Sequence, residues 1–140
     1  MNTRQQGDIG VAAAIYYFQS HGYLVSIPLT ESIAYDLVAD IDESIKRIQV
    51  KTGFATKRPN AVQLATKGGN QSWSGSAKTI NSNKIDYIFI LMKDTRMYLI
   101  PSHLVDGNNE IIVSPEGKWK EYQVFIKEHT LIQLNLLKIL

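Results

Sequence analysis

Within the stretch YDLVADIDESIKRIQVKT, residues 35–52, stand three side chains whose chemistry is complementary: the carboxylate of Asp36, the amide of Gln49 and the ammonium of Lys51. The first two offer hard oxygen donors of the kind a magnesium ion takes. For them to meet, the chain must reverse between them. Leu37, Ala39 and Ile41 alternate with Asp36, Val38 and Asp40, and Ile48 and Val50 alternate with Arg47, Gln49 and Lys51. That period of two predicts half-buried strands whose side chains point to opposite faces in turn. With Asp42 and Glu43 as the loop, direct pairing sets Ile41 opposite Ser44, Leu37 opposite Ile48 and Asp36 opposite Gln49, with Lys51 one step further along the same face. A structural polar network is the alternative reading of such a trio. Buried pairs are costly and often bring no net stability, so their presence inside a sheet favours a functional role.

The flanking text predicts the elements that hold this hairpin. Gly7 to His21 reads as a helix, with Asp8 near its start and Gly22 just past its end. Its apolar residues run nearly all round, which predicts burial on several sides. Tyr23 to Pro28 fits a strand. Ile85 to Met92 is almost continuously apolar, as a central strand would be, and Met97 to Ile100 returns after the turn-forming Lys93 to Arg96. Ser102 to Val105 suits a short helical turn and Ile111 to Val113 a brief strand, while Gly117 to Val124 is amphipathic without a clear period.

The ordered set of helix, GY-strand, YDL strand, QVK strand and IDY hairpin, over residues 7–105, resembles the PD-(D/E)XK nucleases, in a variant where Gln replaces the second acid. It is most similar in feel to the small homing endonucleases encoded in bacterial group I introns. The resemblance implies an α/β fold with a restriction-endonuclease-like core, a mixed β-sheet flanked by helices, and a polar DNA-contacting insertion, as one domain over residues 1–140. It implies hydrolysis of phosphodiester bonds in double-stranded DNA with Mg²⁺, for which Mn²⁺ or Ca²⁺ would substitute. Asp36, Gln49 and the Val50 carbonyl would hold the metal, and Lys51 would orient or activate the attacking water. Related proteins often carry Glu in the first helix at the position where this chain has Val11. Asp8, three residues away and on the same helical face, is then the candidate to complete the site as a catalytic and metal-binding carboxylate. If it does not, Asp36 is the sole charge in the metal site, and the chain is a weakened variant that binds its target without cutting it. Alternatively, Val11 is a core residue of the helix.

Charge distribution points the same way as the motif. The net charge is +2, yet residues 51–84 carry Lys51, Lys57, Arg58, Lys67, Lys78 and Lys84 with no acid, beside an N-terminal part rich in Asp and Glu. A polyanion would be drawn to the basic segment, although a solvated basic loop would look the same. This segment is long and polar, and such insertions are more often functional than idle. Val62 and Leu64 suit a short strand, Gly68 to Asn70 a turn, and Trp73 a returning strand. Lys57, Arg58, Lys67 and Lys78 can meet phosphates. Gln63, Asn70, Gln71, Asn81 and Asn83 are amides able to read base edges, so a ribbon or loop entering a DNA groove is expected. Trp73 would join it there, or would anchor the insertion to the body.

Hydrophobic content of 44% and charged content of 20% are those of an ordinary soluble protein, with no apolar run long enough for a membrane span. MNTRQQGD lacks a secretory core, so a cytoplasmic location is expected. Absence of cysteine excludes disulfides and thiolate metal sites. His21, His103 and His129 have no metal-ligand spacing. The tail LIQLNLLKIL is too apolar to stand in water and is expected to pack on the domain or between subunits. A chain this short offers little surface for a long DNA site, so the resemblance implies a homo-oligomer, dimer or tetramer. Other functions remain open at this point: a Holliday-junction resolvase-like or structure-specific nuclease, and a non-enzymatic DNA-binding module of the same fold.

Overall fold

The hairpin lies within the main sheet in a computed structural model, which describes residues 1–31, 33–65, 78–128 and 138. Strands β2 (Leu37–Ile41) and β3 (Ser44–Gly53) pair with Ile41 opposite Ser44 and Leu37 opposite Ile48, the register expected from the alternation. Asp42 and Glu43 make the reversal, both with positive φ (51° and 67°), which is the backbone a two-residue turn needs to match the twist of its strands. Around the hairpin, β1 (Leu24–Ser26) pairs with β2, and β5 (Tyr87–Met92) lies parallel to β3. Strands β6 (Met97–Pro101) and β8 (Gln123–Val124) follow antiparallel, giving the order β1-β2-β3-β5-β6-β8. A separate pair, β4 (Ala61–Gln63) with β7 (Glu110–Ile112), forms a second small sheet.

Alternation along the strands divides the core in two. On one face Leu37, Ala39, Ile48, Phe89 and Leu91 meet Ala14, Tyr17 and Phe18 of helix α1 (Thr3–Ser20). On the other, Ile88, Ile90, Met92, Tyr98 and Ile100 meet Val62 and Leu64 from the β4 region, Ile111 and Val113 from the β7 region, and Trp119. Buried on both faces, β5 has no polar side to show, which accounts for its continuous apolar text.

The helix departs from the sequence reading in two ways. It begins at Thr3, not Gly7, because Asn2 and Gln5 form a reciprocal capping box: Gln5 N–H donates to the Asn2 side chain at 2.9 Å and Asn2 N–H to the Gln5 side chain at 3.0 Å. Asp8 is thus past the first turn, beyond the reach of the helix-terminal dipole. Burial is also confined to one face, leaving Ile9 and Tyr16 exposed. Gly22, with φ 78°, ends the helix as expected. Among the described residues one α-helix covers one face of the sheet, while the small sheet and loops cover the other. Among these residues no helix is long and apolar enough to cross a membrane. Lys67, the Gly68 to Asn70 turn, Gln71, Trp73 and the apolar tail lie outside the described residues, except for Lys138.

Candidate active site

One residue before β2 begins, Asp36 N–H donates to the Ile48 carbonyl at 2.9 Å, and the Asp36 carboxylate takes the Val50 N–H at 2.7 Å. The hairpin thereby fixes the carboxylate to β3 between Gln49 and Lys51. These two pair in register with Ile88 and Ile90 of β5 on the face away from α1, whereas Val50, paired with Phe89, joins the helix-side core. The anticipated trio of Asp36, Gln49 and Lys51 is therefore brought to one place by β2 and β3.

Their electrostatics are those of a partly dehydrated site. Asp36 keeps a water-accessible edge, yet loss of hydration is the largest influence on it and raises its carboxyl above the usual range, against the Val50 N–H and the Lys51 charge. Burial likewise pushes the Lys51 ammonium down, against the Asp36 charge. No direct ion pair joins the two among the described residues, and the second Asp36 oxygen has no hydrogen bond there. Gln49 Oε1 is buried with no hydrogen-bond partner among the described residues. Leaving such an acceptor unsatisfied costs about 1–3 kcal/mol.

The second carboxylate oxygen of Asp36, the amide oxygen of Gln49 and the nearby Val50 carbonyl are oxygen donors of the kind a hard divalent cation takes. The set is weak in charge, since no group of three or more His, Cys, Asp or Glu side chains converges among the described residues. Asp8 does not add to it in this arrangement. It is exposed and shares a surface depression with Met1, Gln5 and Ile9, about 200° round the helix from Gly10, which faces β3. Val11 is partly buried and packs against the helix-side core.

The profile of the PD-(D/E)XK endonuclease family matches residues 1–125. The chain belongs to the PD-(D/E)XK endonuclease family. Its fold is similar to that of a bacterial homing endonuclease, I-Ssp6803I, with a TM-score of 0.74 and 20% identity, covering 100% of this chain and 99% of that one. No curated protein matches it by sequence. In this chain an acid just before one strand stands beside the Gln49-Val50-Lys51 stretch of the next.

Beside Gln49 opens a cleft of about 970 Å³ that the sequence reading did not anticipate, lined by Tyr35, Arg47, Lys78 and Lys84 among others. Arg47 is committed to structure. Its Nε and Nη2 donate to the Asp86 carboxylate at 3.0 and 3.1 Å, its N–H donates to the same group at 2.7 Å, and its Nη1 donates to the Asn83 carbonyl at 3.0 Å. These bonds, with the Arg47 guanidinium holding the Asp86 carboxyl below its usual range, lock the start of β5 to β3 two residues before Gln49.

The residues expected to contact DNA are dispersed. Lys57, Gln63 and Lys78 are exposed. Arg58 is paired with Glu110 at 2.7 Å. Asn81 and Asn83 shape the loop before β5: Asn81 Oδ1 accepts the Asn83 N–H at 3.0 Å, and the Asn81 carbonyl accepts from Lys84 and Ile85. A signal for Lys84 was present in the text as the last cation of the acid-free segment.

Proposed function

We propose that this PD-(D/E)XK nuclease is a site-specific endonuclease that cuts both strands of DNA with Mg²⁺, in the manner of a homing endonuclease. The observation that carries the reading is the orphaned Gln49 Oε1 beside the Asp36 carboxylate and the Lys51 ammonium. When bound, the cation would polarise the scissile phosphate and lower the pKa of an attacking water. Asp36, Gln49 and the Val50 carbonyl hold it, and Mn²⁺ or Ca²⁺ takes the same oxygen donors. Lys51 sits two residues along the strand from Gln49, where its partly dehydrated ammonium orients the water and meets charge gathering on the phosphate oxygens. Val50 N–H fixes the carboxylate so that one oxygen stays available. Lys57, Lys78 and the acid-free segment support binding of the duplex backbone. A homo-oligomer, dimer or tetramer, would present one such site to each strand.

The test is selection of cleaved sites from a randomised duplex library in Mg²⁺, beside a synthetic four-way junction. Enrichment of one duplex sequence is expected. Preferential cutting of the junction would replace this reading by a structure-specific nuclease, and tight binding with no cutting in Mg²⁺ or Mn²⁺ would leave a binding module.

A further inference from the structure

Gln49 belongs to two places at once: its amide oxygen is part of the candidate metal site, and the residue also forms part of the wall of the 970 Å³ cleft. Whatever fills the cleft is therefore next to whatever is cut. Its cations differ in availability. Arg47 is held by Asp86 and the Asn83 carbonyl, whereas Lys78 and Lys84 are exposed and have no carboxylate partner among the described residues. Glu31 is the one acid on the described lining. Ammonium groups are point charges without the planar geometry of guanidinium, so they suit a backbone phosphate whatever base it carries.

We propose that the cleft is a subsite for the phosphate next to the scissile one on the strand being cut, with Lys84 as its chief ligand and Lys78 supporting it. This assignment rests on the nuclease reading above. It makes Lys84 a binding residue that sets the register of the strand across Asp36 and Gln49, while Glu31 at the cleft opposes the same anion. A free phosphate has the same chemistry, so the two sources must be told apart.

The experiment measures duplex affinity of the full chain in Ca²⁺, by fluorescence anisotropy over a range of salt, using a selected target in which each phosphate flanking the cut carries a single methylphosphonate in turn. Lys84→Ala is expected to weaken binding several-fold and to lower the salt slope by about one. One methylphosphonate should do the same to the unaltered chain and nothing more to Lys84→Ala, while Lys84→Arg should restore most of the affinity and Glu31→Gln should tighten it. Additive losses at both flanking phosphates, or an unchanged slope, would overturn the subsite. So would saturable binding of inorganic phosphate, without DNA, that Lys84→Ala removes, since that marks a free-anion site. Asp36→Asn in Mg²⁺ separates the levels: if it cuts at the unaltered rate, the active-site reading falls and the subsite with it. If it is inert while Lys84→Ala keeps its slope, only the subsite falls.

Discussion

The Asp36 carboxylate accepts the Val50 N–H at 2.7 Å, so the acid is held by the peptide that lies between Gln49 and Lys51. One hydrogen bond thus ties the three chemical groups to a single strand, and displacement of β3 moves them together.

Asp36→Ala or Lys51→Ala should therefore reduce cutting below detection while leaving DNA affinity within a few-fold. Asp36 is one carboxylate among many surface charges, and Lys51 one cation of the acid-free segment. Single-turnover rates and anisotropy read the two quantities separately. Cutting by either variant at the unaltered rate would remove the residue from the mechanism.

A stability difference should accompany the loss of activity. Because burial raises the folded-state pKa of Asp36 above its ordinary value, its contribution to stability is present below the ordinary carboxylate pKa and is lost as pH rises through the raised value. Lys51, whose pKa is lowered, contributes stability above the ordinary lysine value and loses it as pH falls through the lowered one. Between those limits both charges weigh against the fold. Asp36→Asn, which keeps an acceptor for Val50 N–H, should melt at a higher temperature than the unaltered chain at neutral pH, with the gap closing in acid. Adding Mg²⁺ should raise the melting temperature of the unaltered chain and leave that of Asp36→Asn unmoved, a readout of the metal that needs no cutting.

Such a site was legible because its geometry is local. A period of two and a two-residue turn place Asp36 and Gln49 without reference to the remainder of the chain. The pairing of β4 with β7 and the clamp between Arg47 and Asp86 span long sequence separations, with no periodic pattern to announce them. Arg96 shows the same blindness. It reads as a turn residue, yet its guanidinium donates to Asp94, Tyr98 Oη, the Val113 carbonyl and Asn60 Oδ1, joining β6 to the loops beside the small sheet. The first turn, TRQQ, has no apolar period to announce it, and its signal is the capping pair Asn2 and Gln5.

At the turn, Asp42 and Glu43 both hold φ values that an L-residue adopts at a cost of roughly 1–2 kcal/mol, lower for Asp. Glu43→Gly relieves that cost at the second position, the one where Gly is favoured in such turns. Urea melts should show a gain of about 1 kcal/mol. Cutting should be unchanged, because the turn is at the opposite end of β2 from Asp36.

Helix α1 packs tightly on β3 at Gly10, where an added Cβ would lie 2.8 Å from Thr52 Cγ2 and 3.0 Å from Val50 Cγ1. Both neighbours are β-branched and stiff. Gly10→Ala gains up to about 1 kcal/mol of helix propensity, but overpacking costs about 1–3 kcal/mol, so a net loss is expected. The displaced strand carries Gln49 and Lys51, and the cutting rate should fall more than DNA affinity does. Gain of stability with an unchanged rate would show that the helix can shift without moving β3.

Val11→Glu decides whether the first helix lacks a metal ligand. Val11 is partly buried, packs against the helix-side core and stands next to Gly10, which lies close against β3. A carboxylate there would give up apolar contacts and lose hydration, for a loss of about 1–2 kcal/mol, within the ordinary range for a single substitution. Val11 is thus expected to behave as a core residue: the variant melts earlier, and its Mg²⁺ dependence and cutting rate do not improve. Val11→Ala, which removes methyl groups without adding charge, should lose stability through packing alone and leave the Mg²⁺ dependence where it was. A marked rise in Mg²⁺ affinity and cutting in Val11→Glu, absent from Val11→Ala, would instead place position 11 beside the metal and identify this chain as one whose site holds a single carboxylate for want of that ligand.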